Sequence, residues 1–238
     1  MPDLTLEEIL TDGFAQLGLP LTEEAKAAYR LYADFLREKN AVMNLTAITD
    51  EAEIARLHFL DSAALLTAAD FGGKRVIDVG AGAGFPGLAL KIARSDLDLT
   101  LLDSLDKRIG FLRETCERLS LRGVTALHAR AEEAPAEYRA AFDIAVSRAV
   151  ARLSVLCELC LPLVKTGGLF IAMKGSDHEA ELRGALQAIR LLGGAVERSV
   201  DYTIPGTDVT HSAILIRKIA DTPSRYPRRW AQIKKTPL

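Results

Sequence analysis

The sequence predicts an α/β protein: a doubly wound, mostly parallel sheet with an N-terminal helical extension and an antiparallel C-terminal hairpin. Three observations lead there. Residues 1–70 carry apolar positions at helical spacing. From Phe71-Gly72-Gly73 onward, short apolar runs alternate with helical patterns. The last two runs have no helix between them. Alternation of strand and helix builds parallel βαβ units, since a parallel pair needs a long crossover. Two runs joined by a short turn pair antiparallel instead.

The elements follow in order. Leu6, Ile9, Leu10, Phe14 and Leu17 form the first helical stripe, ended by Gly18 and Pro20. Thr22 suits an N-cap, with Glu23 and Glu24 at the positive helix end. Ala25, Ala28, Tyr29, Tyr32, Phe35 and Leu36 then face inward. Asp50, with Glu53 three residues on, marks a third helix that directs Ile54, Leu57, Leu60 and Leu65 to the core. Strands are expected at 76–79, 100–103, 125–128, 143–147 and 169–173. Helices are expected at 86–93, 107–119, 154–163 and 178–191. Runs 195–203 and 211–219 make the hairpin around Ile204-Pro205-Gly206-Thr207. Three units are anticipated: the extension (1–70), the doubly wound unit (71–221) and a basic tail (222–238).

With 49% hydrophobic and 26% charged residues, the chain can bury a core as a soluble protein does. No apolar run approaches the ~18 residues of a membrane span. The acidic start, Met1-Pro-Asp-Leu-Thr-Leu-Glu-Glu, is unlike a signal peptide, so a cytoplasmic protein is expected. Cys116, Cys157 and Cys160 are too few for a disulfide framework. Cys157-Glu-Leu-Cys160 has zinc-like spacing. It lies in a helical stretch with Leu153, Leu156 and Leu159, without a second ligand pair. Two small buried residues are the expectation there, and no metal.

The chemistry concentrates in Val76-Ile-Asp-Val-Gly-Ala-Gly-Ala-Gly-Phe-Pro-Gly87, a strand running into a glycine-rich turn and a helix. Pro86 fits the first helical turn, where a missing N–H costs nothing. In a doubly wound sheet this turn lies at the carboxyl ends of the strands, where ligands bind. Gly82, Gly84 and Gly87 also match GxGxxG, which a nicotinamide or flavin enzyme would share. Three carboxylates shift the balance: Asp78 two residues before Gly80, Asp103 at the end of the second strand, and Glu132 after the third. S-adenosylmethionine has ribose hydroxyls, an adenine and a cationic sulfonium, but no pyrophosphate. Carboxylates near the loop suit it better than they suit a phosphate. Each residue keeps a structural alternative. Asp78 could cap the loop backbone, Asp103 could cap a helix, and Glu132 could be a solvated charge. Arg148 ends strand four at the same edge and can pair with carboxylate or phosphate. Lys174 ends strand five, and reads equally as an RNA contact or a solvated lysine.

Residues 222–238 hold five of the 30 basic residues (Arg225, Arg228, Arg229, Lys234 and Lys235) and none of the 32 acidic ones. They interleave with Tyr226 and Trp230, on which bases could stack while the cations meet phosphates. An RNA partner is therefore expected for this segment.

Several motifs, in order, resemble one family. They are Asn44-Leu-Thr, His58-Phe-Leu-Asp-Ser62, the 77–87 loop, Leu101-Leu-Asp-Ser104 with Lys107-Arg108, Ser147-Arg-Ala149 and Arg225-Tyr-Pro-Arg228. The family is the ribosomal RNA small subunit methyltransferase G family, also called glucose-inhibited division protein B. The resemblance runs from about Phe35 to Leu238, and Trp230 departs from the smaller residues of that place. It implies methylation of N7 of one guanosine in the decoding-region loop of bacterial 16S ribosomal RNA, on the small subunit or its precursor. It implies S-adenosylmethionine contacts at Gly80, Phe85, Ala131, Glu132 and Arg148. With the loop reading, the expected cofactor residues are Asp78, Gly80, Gly82, Gly84, Phe85, Asp103, Ala131, Glu132 and Arg148. The expected RNA contacts are Lys174, Arg225, Arg228, Arg229, Lys234 and Lys235. No general base is expected, because guanine N7 carries no proton. A monomer is expected, since no helix shows a spare apolar face. Three rivals fit less well. A nicotinamide oxidoreductase would need a hydride-relay pair such as Tyr-x-x-x-Lys near the site. A small-molecule methyltransferase leaves the basic tail idle. A non-catalytic RNA binder leaves the glycine loop and Asp103 idle.

Overall fold

A computed structural model describes residues 4–148, 151–175 and 178–238. Ala149 of the Ser-Arg-Ala motif, and the first three residues, lie outside them.

Two capped helices open the chain, α1 (Leu6–Gln16) and α2 (Glu23–Met43). Thr22 caps α2 as its sequence suggests, accepting the Ala25 N–H at 3.2 Å. Asp50 likewise accepts the Glu53 N–H at 2.9 Å and starts α3 (Glu51–Ile54). The expected third helix then changes pitch. Ala55–Leu60 forms a π-helical turn before the short helices α4 (Asp61–Ala63) and α5 (Leu65–Ala68). A π-turn inserts a residue into the α-period. Ile54, Leu60 and Leu65 are buried as anticipated, but Leu57 is only half-buried.

The sheet has seven strands in the order β3-β2-β1-β4-β5-β7-β6. They are β1 (Arg75–Val79), β2 (Asp98–Asp103), β3 (Val124–His128), β4 (Phe142–Arg148), β5 (Val164–Gly175), β6 (Gly194–Thr203) and β7 (Thr210–Lys218). The first five are parallel; β7 runs antiparallel to both β5 and β6. The crossovers are α6 (Gly87–Ala93), α7 (Asp106–Arg118), α8 (Leu153–Cys160) and α9 (Glu179–Leu191). A last helix, α10 (Trp230–Lys235), closes the described chain.

Strand residues alternate between two cores because side chains alternate along a strand. Val76, Leu99, Leu101, Ile144, Val146 and Ile171 pack with α1 to α7. Ile77, Val79, Leu102, Ala145, Phe170 and Ala172 pack with α8, α9 and α10, among them Cys157 and Cys160. Both faces are covered, so the central strands read as continuous apolar runs. No helix among the described residues is long and apolar enough to cross a membrane.

The N-terminal helices are stitched to the loop after β1. The Tyr29 hydroxyl donates to the Ala89 carbonyl at 2.7 Å, and the Tyr32 hydroxyl donates to the Ala83 carbonyl. Tyr32 stacks on Phe85 at 5.3 Å between ring centroids.

Candidate functional site

Strand order reverses between β1 and β4, which opens a crevice at the carboxyl ends of the strands. A cavity of about 570 Å³ lies there, within the size range of small-ligand sites. The β1 loop forms its floor (Gly80, Gly82, Phe85). Asp103, Arg108, Arg130, Ala131 and Glu132 line the side beyond β2 and β3. Leu45, Thr46 and His58 wall it from one layer, Leu159 and Trp230 from the other.

Most of the loop's amides are paired within the protein. Gly80 and Ala81 donate to the Leu102 carbonyl at 2.8 and 3.1 Å. Gly84 and Phe85 donate to the Ala81 carbonyl at 2.7 and 3.2 Å. Gly82 donates to Asp103 Oδ2 at 2.9 Å. These amides are paired already, so the loop does not offer the fan of free N–H groups that cradles a pyrophosphate. Gly82 takes φ +59° and Gly84 φ +97°, conformations that cost other residues strain. A Cβ on Gly84 would also clash with the Tyr32 hydroxyl and the Leu88 side chain.

Asp103 bridges loop and strand, also accepting the Leu105 N–H at 2.9 Å, and its 3% exposure is at the cavity. Glu132 lines the cavity with Oε1 buried and unpartnered. An unpaired buried acceptor is costly, and a donor edge in the cavity would relieve it. Asp78 sits elsewhere. It is buried beneath the loop, outside the cavity lining, with Oδ2 accepting the Gly87 N–H at 2.8 Å. Of its two readings, the geometry is that of the loop cap. Burial pushes its carboxyl up to about 7, against the opposing Gly87 N–H. Gly84 also lies outside the cavity lining, held against Tyr32.

Arg148 is anchored by the π-turn. Nη1 donates to the Leu57 carbonyl at 3.0 Å and to Asp61 Oδ2 at 3.1 Å, while Nη2 reaches His58 Nδ1 at 3.1 Å. His58 Nδ1 therefore accepts, and its Nε2–H donates to Thr46 Oγ1 at 2.9 Å. The ring stacks on Phe85 at 4.3 Å. Burial, then the Arg148 charge, push the imidazole down to about 3. Buried Asp61 also accepts from the Tyr202 hydroxyl at 2.8 Å and His211 Nδ1 at 2.9 Å. The β6–β7 hairpin is thereby tied to the cavity wall, and the Asp61 hydrogen bond raises His211. Thr46 and its loop are held by Asn40, whose Oδ1 accepts the Leu45 and Thr46 N–H groups at 2.6 and 2.9 Å. Sequence reasoning assigned no role to Asn40, His58 or Asp61. The only signal was their presence in or beside the Asn-Leu-Thr and His-Phe-Leu-Asp-Ser motifs.

Two expected RNA contacts are engaged within the protein. Lys174 Nζ donates to Glu181 Oε1 and the Ala151 carbonyl, both at 2.8 Å, leaving 11% of its side chain exposed. Arg228 grips buried Glu158 on α8 through two nitrogens at 2.7 and 2.6 Å. That grip is structural, and neither side chain is free to meet a phosphate without breaking its pair. Arg225, Arg229, Lys234 and Lys235 are exposed. The segment itself is docked rather than trailing: Tyr226 and Ile233 are buried, and Arg139 donates to the Thr222 and Tyr226 carbonyls at 2.5 and 2.8 Å.

The model of a family described as rRNA small subunit methyltransferase G matches residues 25–205. A protein called ribosomal RNA small subunit methyltransferase G from Acetivibrio thermocellus is 44% identical, covering 99% of this chain and 98% of its own. One of the same name from Lachnoclostridium phytofermentans is 45% identical over 95% of each. Among solved structures, a SAM-dependent methyltransferase from Aquifex aeolicus superposes with a TM-score of 0.54 at 16% identity, over 70% of this chain and 93% of that one. The M. jannaschii TYW2 complex with AdoMet gives 0.54 at 13%, over 67% and 75%. At such identities the likeness is one of fold.

Proposed function

The chain belongs to the rRNA small subunit methyltransferase G family, and on that premise we propose that it methylates N7 of a single guanine in bacterial 16S ribosomal RNA with S-adenosylmethionine. It acts in the cytoplasm, as a monomer, on the small subunit or its precursor. One observation carries the cofactor reading: the amides of Gly80, Ala81, Gly82, Gly84 and Phe85 are paired within the protein, while Asp103 and Glu132 line the cavity. The carboxylates suit ribose hydroxyls and an adenine amino edge, and the paired amides leave little of the fan of free N–H groups that a pyrophosphate takes.

Asp103 would take the ribose, Ala131 and Glu132 the adenine edge, and Gly80, Gly82 and Phe85 the loop-facing side. Asp78 and Gly84 would act by shaping the loop. When bound, S-adenosylmethionine supplies an electrophilic methyl group on a cationic sulfonium. Guanine N7 offers an in-plane lone pair, so no residue needs to remove a proton. Both His58 ring nitrogens are engaged, by Thr46 and Arg148, in keeping with a reaction that lacks a base. Catalysis then rests on orientation, which can contribute ~7–11 kcal/mol. The purine becomes cationic as it is methylated, and nearby carboxylates and aromatic faces favour that charge. Among the described residues Arg148 Nε–H and one Nη2 hydrogen have no partner, enough to seat the methionine carboxylate or the target guanine. Arg225, Arg229, Lys234 and Lys235 are the candidates for RNA phosphates.

The test is transfer of label from S-adenosylmethionine to purified small subunits and to naked 16S rRNA, both lacking the mark. Label confined to one 7-methylguanosine is expected. Label on a small molecule or on transfer RNA alone would replace this reading. Arg148→Ala should lower cofactor affinity or turnover by about tenfold or more; wild-type values for both would remove Arg148 from the site.

A further inference from the structure

We propose that Trp230 is the lid of the adenine subsite, its indole lying on the purine of the bound cofactor. The segment read from sequence as an RNA tail would then complete the cofactor site. The inference rests on the S-adenosylmethionine reading above.

Besides the His58 imidazole, two aromatic rings among the described residues line the cavity, Phe85 and Trp230. Phe85 is occupied, stacked by Tyr32 at 5.3 Å and by His58 at 4.3 Å. Trp230 has no ring or cation partner among the described residues and keeps 36% of its surface open, while Ile233 on the same short helix is fully buried. It is thus an apolar plane with a free face in the cavity lining, on a short helix whose Ile233 packs in the same core as Leu159 and Ala131.

Its position is held firmly. Arg228, two residues earlier, is clamped to buried Glu158, and Leu159, beside Glu158 on α8, lines the cavity with Trp230. A rigid aromatic plane loses little freedom on stacking a planar base. Glu132 Oε1, lining the same cavity, has no donor among the described residues, and adenine carries an exocyclic amino group. Ala131, an expected adenine contact, packs in the same core as Ile233 of the Trp230 helix, which favours the cofactor's purine over the target base as the stacking partner.

Trp230 is the only tryptophan, so its emission reports this position without labelling. The protein is titrated separately with S-adenosylhomocysteine, adenosine, homocysteine and an oligoribonucleotide of the 16S loop, with calorimetry alongside. S-adenosylhomocysteine and adenosine should change the emission, with the former's midpoint matching its calorimetric Kd, and homocysteine should not. Trp230→Ala should weaken S-adenosylhomocysteine by about tenfold and Trp230→Phe should recover most of it, with unfolding transitions recorded for both. The proposal falls if S-adenosylhomocysteine binds with emission unchanged, if only RNA moves the emission, or if folded Trp230→Ala binds the cofactor as wild type does. Absence of calorimetric binding by the wild type would instead remove the cofactor reading itself, and this proposal with it.

Discussion

The glycine loop and the C-terminal segment line the same cavity, yet their shapes are set at different ranges along the chain. The loop is held by its own motif and by the next strand: Gly87 on Asp78 and Gly84 on Ala81 within the motif, and Gly82 on Asp103, 21 residues on, at the end of β2. The C-terminal segment is held by Arg228 on Glu158, 70 residues away, and by Arg139 on Tyr226, 87 residues away. A motif built from local geometry announces itself by residue type and spacing. A charge that answers a distant buried charge looks, in the sequence, like any other surface arginine.

That contrast can be broken first at Arg228. Arg228→Ala leaves Glu158 buried and unpaired and should cost about 3–5 kcal/mol in equilibrium denaturation. Arg229→Ala, one residue on, should stay within about 0.5 kcal/mol. Equal effects would mean that the ion pair does not hold the segment. At the loop, Gly84→Ala should lose about 1–3 kcal/mol from its positive φ alone, with the Tyr32 contact added. In a Tyr32→Phe background the hydroxyl contact is removed while the contact with Leu88 at 2.7 Å and the φ cost remain, so the loss should shrink but not vanish in thermal unfolding.

The third test is pH. His58 is held down to about 3 by burial. Its folded value lies below the unfolded one, so its contribution is complete above pH 6.5 and is lost as pH falls toward 3. Asp78, raised to about 7 by burial, has the opposite sign: its contribution is present near pH 4 and is lost as pH rises through 7. Comparing wild type with His58→Gln isolates the histidine. Between pH 6.5 and 5 the wild type should lose roughly 2 kcal/mol more than the variant, at about 1.4 kcal/mol per unit. Parallel stability curves would show that His58 is not held neutral.

The smallest effects concern the exposed cations. Arg229→Ala, Lys234→Ala and Lys235→Ala should each lower the salt dependence of RNA binding by about one in slope and leave cofactor affinity unchanged. Loss of cofactor affinity in these variants would mean that they disturb the docked segment.

The doubly wound order and the hairpin were legible because strand and helix periodicities differ and the last two runs lack a crossover. The loop, Asp103 and Glu132 were legible because a glycine-rich strand-to-helix turn flanked by carboxylates is rare chemistry. The π-turn was not, because Ile54, Leu57, Leu60 and Leu65 fit an ordinary helical stripe until Arg148 takes the Leu57 carbonyl. The hub on Asp61 was hidden for another reason. Its partners Arg148, Tyr202 and His211 come from three strands far along the chain. The Glu158 partner of Arg228 was hidden likewise, 70 residues away, whereas Lys174 meets Glu181 only seven residues on.

The most direct measurement is made in bacterial cells lacking the 7-methylguanosine of the 16S decoding-region loop, by expressing this chain and analysing digested 16S rRNA by mass spectrometry. The account predicts that a single 7-methylguanosine returns with the wild-type chain. Soluble, folded protein with no 7-methylguanosine restored, or with methylation at another base atom, would contradict it.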